Sequence, residues 1–235
     1  MLEISFSKKT LRGSLAKQVL RLSKKLFIKN PIYSDKSFGK LYSLTVTDSF
    51  RYPKDIQSEW ITLSHCRMEK IASMRLESKN AILQLHGGAY VKPYSDTYRR
   101  SAIQYLRRSE GANVFSLDYR VAPENPFPAA LDDAVEAYQY LIHSGFLPNH
   151  IIVVGDSAGG GLTLAMTMKL RSMKQPLPKA LLTMSAWTDL ASSGESYIKN
   201  QNLDPMLGDH LLPLQNHEYV GNHDRKDPYI SPVYG

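Results

Sequence analysis

Residues 155–159, Gly-Asp-Ser-Ala-Gly, set a serine between two glycines in a G-x-S-x-G pattern. Flanking glycines let the backbone turn sharply enough to lift one hydroxyl clear of the chain, which a nucleophilic serine requires. Ser157 is therefore the candidate nucleophile. The surroundings support it. Ile151 to Val154 is a β-branched run that reads as a short buried strand, and Leu162 to Met173 reads as a helix, so the serine falls on a strand-to-helix turn. A helix N-terminus directly after the serine favours negative charge, as a tetrahedral oxyanion demands.

Acyl transfer also needs backbone N–H donors fixed where a carbonyl oxygen becomes an oxyanion. The run His86-Gly87-Gly88-Ala89-Tyr90 directly follows the apolar strand Ala81 to Leu85, and its glycines admit a substrate close to the main chain. Donors on such a loop combine with the N–H of the residue after the nucleophile, here Ala158. His86 is expected to hold the loop through its side-chain hydrogen bonds rather than to act as the base. Arg120, Glu124, Asp132 and Asp133 are expected to form a structural charge network.

The elements that must position these residues follow from the periodicity. Residues 60–64 and 68–74 read as two strands, an antiparallel pair at a sheet edge. Helix is expected over 96–108, strand over 112–117, helix from about Pro128 with Ala130, Ala134, Ala137 and Tyr138 inward, and strand over 180–185. Strand and helix thus alternate from 81 to 185, which specifies an α/β fold with a mostly parallel, doubly wound sheet and helices on both faces. Ligands bind such sheets beyond the carboxyl ends of the strands, where both glycine loops fall.

Upstream, Leu11, Leu15, Val19, Leu22 and Leu26 recur every three or four residues among basic side chains, the pattern of an amphipathic helix over 8–30. Such a helix either covers the body as a packed element or flap, or attaches to a membrane surface. Residues 31–56 show no clear period and read as an extended connection. The net charge of +7 is local: residues 1–30 hold eight Lys and Arg against Glu3, leaving 21 basic and 21 acidic residues in the rest. A neutral body without aromatic-interleaved basic patches argues against a nucleic-acid partner.

At 235 residues and 43% hydrophobic, the chain is long enough for one soluble α/β domain with a sizeable core. Its apolar runs are too short to span a bilayer and its start lacks a signal-peptide pattern, so the cytoplasm is the expected location. A single cysteine, Cys66, excludes an internal disulfide and reads as a buried or half-buried structural residue rather than a metal ligand.

Three motifs, HGGAY at 86–90, DYRVAPENPFPAALDDA at 118–134 and GDSAGG at 155–160, occur in one order. Together they resemble the hormone-sensitive-lipase-like family of α/β-hydrolases, the bacterial carboxylesterases and acetyl esterases. The likeness continues through SAWTDL at 185–190, SGES at 193–196, Asp204-Pro205 and DPYISPVYG at 227–235. It implies the α/β-hydrolase fold, with a cap or lid segment over 1–56 and the hydrolase domain over 57–235. It implies Ser157 as nucleophile and oxyanion-hole residues Gly88, Ala89 and Ala158, with Gly87 shaping the loop. It implies small-molecule carboxylic esters of short to medium acyl length as substrates, with no metal or organic cofactor. Ala89 stands where many members have glycine, which leaves a backbone donor in place.

In this family the triad acid and histidine follow later strands, beyond the segment that SPVYG matches. Asp189, Asp204, Glu218, Asp224, His210, His217 and His223 match cap or connecting positions instead. The resemblance thus implies a sequence without the last two strands, the triad acid and the triad histidine. An uncovered apolar sheet edge and low solubility are the expected consequences. The alternative function is a catalytically silent binding or membrane-surface protein.

Overall fold

The structure, a computed structural model, describes residues 50–200, 202–203 and 217–235. These belong to two compact units, residues 50–192 with 217–235 and, separately, residues 193–203. The basic segment 8–30, residues 31–49 of the expected connection, Asp204, Pro205 and His210 lie outside the described residues.

The larger unit holds strands β1 Ile56–Thr62, β2 Arg67–Ser73, β3 Ala81–Leu85, β4 Asn113–Asp118, β5 Ile151–Asp156 and β6 Ala180–Met184. They form one six-stranded sheet in the order β1-β2-β4-β3-β5-β6. The β1–β2 and β2–β4 pairs are antiparallel, and the other three pairs are parallel. The edge pair is the one expected, but β1 begins at Ile56 rather than Trp60. Gln57, Ser58 and Glu59 are exposed edge residues, so they carry no apolar period.

Three long helices, α1 Asp96–Arg108, α2 Ala129–His143 and α3 Ser157–Ser172, follow β3, β4 and β5. Alternation along the strands sorts their side chains onto two faces. Leu83, Leu85, Phe115, Leu117 and Val153 join Ala130, Ala134, Ala137, Leu162 and Met166 of α2 and α3 in one core. Ile71, Ile82, Val114 and Val154 point the other way and close on Ala102, Ile103 and Leu106 of α1. Each fully buried Leu, Ile or Val contributes about 1.5–3 kcal/mol, so the central strands are held from both sides. Asp96 in the first turn of α1 and Arg107 and Arg108 in its last complement the helix dipole.

A polar row crosses the α1 face of this dry sheet. Glu69, Ser116 and Gln84 are register neighbours on β2, β4 and β3, and all three are buried. Ser116 Oγ donates to Gln84 Oε1 at 2.7 Å. Arg99 of α1 reaches Glu69 with an Nε–Oε2 distance of 2.8 Å, and the Tyr94 hydroxyl donates to the same oxygen at 3.1 Å. A buried carboxylate persists only when its charge and lone pairs are matched, and α1 supplies the match.

On the opposite side, Arg120 pairs with buried Asp133 at 2.7 Å, and Asp133 also accepts the Arg120 backbone N–H at 2.8 Å. Glu124 and Asp132 are exposed, so the expected four-residue network contracts to this one pair. Cys66 is half-buried, and burial pushes its thiol well up from the usual range. At the far edge, β6 has β5 as its strand neighbour among the described residues, and Leu182 and Met184 stand exposed along it. Residues 227–235 pack back onto the body: Ser231 is buried, its Oγ accepting the Leu190 N–H at 2.8 Å and donating to the Arg225 carbonyl at 2.6 Å.

Candidate active site

β3 lies between β4 and β5, so the connection from β4 to β5 passes over it and the strand order reverses at this point. The turns leaving β3 and β5 are the two glycine loops, which therefore meet at the reversal where α/β sheets open a binding crevice. Ser157 is the first residue of α3 and has a φ of +51°. A left-handed backbone is uncommon at a residue with a Cβ, and at Ser157 it makes the passage from β5 into α3 a sharp turn. The flanking glycines are required by contact. A Cβ on Gly155 would collide with the Gly159 carbonyl, and one on Gly159 would collide with the carbonyls of Leu85 and His86. Gly159 thus lets the start of α3 press directly against the end of β3.

The loop after β3 turns through three successive left-handed residues, Gly88 at φ +122°, Ala89 at +56° and Tyr90 at +61°. It is pinned at both ends. Val91 and Lys92 N–H groups donate to the Gly88 carbonyl at 3.0 and 2.9 Å, and the Ala122 N–H donates to the Tyr90 carbonyl at 2.8 Å. The Gly87 N–H is engaged by Tyr98 Oη at 2.8 Å and by Asp156 Oδ1 at 3.1 Å. The Gly88 N–H has no hydrogen-bond partner among the described residues, and Ala158, in the first turn of α3, has no intrahelical acceptor for its own.

His86 is completely buried and its ring stacks on Tyr119, with centroids 4.0 Å apart and planes 6° from parallel. Nδ1 lies 2.8 Å from the Gly87 carbonyl. A carbonyl only accepts, so the proton sits on Nδ1 and Nε2 keeps a lone pair, which has no partner among the described residues. Burial drives the imidazole below its usual range despite the opposing charges of Asp118 and Asp156. The ring is neutral, and its role is to hold the loop.

A third segment packs beside these two turns. The Trp187 N–H donates to the Ser157 carbonyl at 2.8 Å, and Cβ atoms on Gly160 and Gly161 would strike Ala186 and the Trp187 carbonyl. The SAWTDL stretch after β6 therefore packs against the N-terminal turn of α3. Ser157 Oγ has no hydrogen-bond partner among the described residues, and the exposed histidines 65, 143 and 223 make no bond to it.

A profile of the alpha/beta hydrolase fold family matches residues 82–235, a span that holds both glycine loops. The chain belongs to this family. It is 37% identical over 177 residues to an acetyl-hydrolase of Streptomyces hygroscopicus, a match covering 74% of this chain and 58% of that protein. It is 31% identical over 229 residues to a putative acetyl-hydrolase, LipR, of Mycobacterium tuberculosis, covering 96% and 72%. A solved esterase of the bacterial hormone-sensitive lipase family superposes with a TM-score of 0.80 at 32% identity, over 97% of this chain and 75% of that one. Within the alpha/beta hydrolases the chain is thus hormone-sensitive-lipase-like.

The structure brings Gly87, Gly88, Ala89, Ser157 and Ala158 onto adjoining turns of one sheet end. Gly87 has its N–H committed to Tyr98 and Asp156, which suits a shaping role and not oxyanion binding. Tyr98 is the residue that the motifs miss. A tyrosine in the first turn of a helix carries no signal of its own, and its partner Asp156 stands in the G-x-S-x-G pattern at a position that any residue can fill.

Proposed function

We propose that the chain carries the nucleophile and oxyanion hole of a carboxylic ester hydrolase for short- to medium-chain acyl esters. The observation that carries the reading is Ser157 at φ +51° on the N-terminal turn of α3, tied through Asp156 to the glycine loop after β3. Ser157 Oγ attacks the acyl carbonyl, forming the C–O bond as the carbonyl π pair moves to oxygen. The N–H groups of Gly88, Ala89 and Ala158 hold that oxyanion. The proton that Ser157 Oγ gives up to a general base on attack passes to the departing alcohol as the intermediate collapses, leaving an acyl-serine, which water then cleaves to the carboxylic acid and the free serine hydroxyl. Acetyl-hydrolase relatives support a short acyl group. Residues 1–56 would serve as the cap over this site, acting in the cytoplasm. Among the described residues no helix is long and apolar enough to cross a membrane.

One observation favours a second reading, a silent ester-binding protein: Ser157 Oγ lacks a histidine partner among the described residues. Removal of a triad base leaves only about 10³–10⁴-fold catalysis over water, from the oxyanion hole and binding. Release of p-nitrophenolate from p-nitrophenyl acetate separates the two. The esterase reading expects turnover that Ser157→Ala abolishes. Equal rates from the parent chain and Ser157→Ala would leave the silent protein as the answer.

A further inference from the structure

We infer that Asp156 and Tyr98 are positioning residues that clamp Gly87 and thereby hold the oxyanion loop in register with Ser157. The catalytic consequence rests on the esterase reading; the clamp rests on geometry alone. Asp156 occupies the N-cap of α3 with an extended backbone, φ −114° and ψ 150°, where an aspartate ordinarily accepts a first-turn amide. This one makes no cap hydrogen bond. Its carboxylate is turned to the neighbouring loop instead: Oδ1 accepts the Gly87 N–H at 3.1 Å, and Oδ2 accepts the Tyr98 hydroxyl at 3.1 Å. The Tyr98 oxygen accepts the same Gly87 N–H at 2.8 Å, which closes a triangle of three groups from α1, the β3 loop and the β5–α3 turn.

Three further observations fit a clamp. A Cβ on Gly87 would lie 2.6 Å from Asp156 Oδ2 and 3.0 Å from Tyr98 Oη, so the clamp fills the space of the side chain that Gly87 lacks. The Gly87 carbonyl is held as well, by His86 Nδ1 at 2.8 Å, leaving neither polar group of that residue loose. Burial, and then the Asp156 charge, push the Tyr98 phenol upward, so the hydroxyl keeps its proton and goes on donating. Gly88 and Ala89 follow directly in the chain, so the position of Gly87 sets where their N–H groups stand. Asp156 adjoins Ser157, which makes donor loop and nucleophile one rigid piece.

Tyr98→Phe removes one hydroxyl at constant shape, and Asp156→Asn and Asp156→Ala remove the charge and then both acceptors. Hydrogen exchange at the Gly87 amide reads the clamp without any turnover. We expect exchange to quicken about tenfold or more in Tyr98→Phe and further in Asp156→Ala, with global unfolding free energy changed far less. On p-nitrophenyl acetate, misplaced donors should lower kcat about tenfold to a hundredfold with KM little changed, and Asp156→Asn should recover part of the loss. Unchanged Gly87 exchange in Tyr98→Phe overturns the clamp. Faster exchange with kcat intact overturns its catalytic role. Absence of turnover in the parent chain counts against the esterase reading and leaves exchange to decide the clamp.

Discussion

The left-handed backbone of Ser157 costs a residue with a Cβ about 1–2 kcal/mol, and it persists because its neighbours leave no alternative. The Trp187 N–H holds its carbonyl, Gly155 admits the first turn of α3, and Gly159 admits the end of β3 at contact distance. His86 sits in the opposite condition, unstrained but with a ring nitrogen that has no route to a proton acceptor if it charges. Its pKa is lowered by burial in the folded state, while an unfolded histidine titrates near 6.5. Above 6.5 both states are neutral and the stability is fully present. As pH falls below 6.5 the unfolded chain takes a proton that the folded chain refuses, so stability drops toward the lowered folded pKa. Urea midpoints should therefore fall with acid from pH 6.5 downward. In His86→Asn, whose amide can still donate to the Gly87 carbonyl, that part of the slope should vanish; a His86→Asn slope equal to the parent's would contradict the assignment.

At the scale of elements, α1 is fastened to the sheet by the Arg99–Glu69 pair, in which the side chains are 9% and 2% exposed. Losing one partner strands the other charge, so Arg99→Met should cost about 3–5 kcal/mol in urea unfolding. The Arg99→Met, Glu69→Leu double variant should cost less than the sum of the single changes, and additive losses would mean the pair is not coupled. This row also marks the limit of what the sequence discloses. Strands β3 to β6 are legible as short apolar runs, and α1 and α2 as periodic ones. Glu69, an acidic residue in an edge hairpin, carries no local sign of burial. It is buried because Arg99, thirty residues on, arrives above it, and nothing local announces that. The site divides the same way. Ser157, Ala158 and residues 86–90 are legible because glycine spacing records a backbone need. Tyr98 and the second task of Asp156 are not, because a side-chain bond across 58 residues leaves no spacing to read.

For the larger unit, β6 has no strand partner on its outer side among the described residues, and Leu182 and Met184 stand exposed along it. Such an edge is a template for another strand. The chain should associate as its concentration rises, and Leu182→Lys with Met184→Lys should return it to a monomer in sedimentation; association unchanged by both would place the contact elsewhere. The proposed esterase function requires this sheet end to assemble a working nucleophile. The most direct measurement is to treat the chain with a fluorophosphonate, which phosphonylates activated serines and leaves ordinary ones untouched, and to map the adduct by mass spectrometry. The account predicts one adduct, on Ser157, formed at a rate that Tyr98→Phe reduces. Intact protein with no adduct, or an adduct on any other serine, would contradict it.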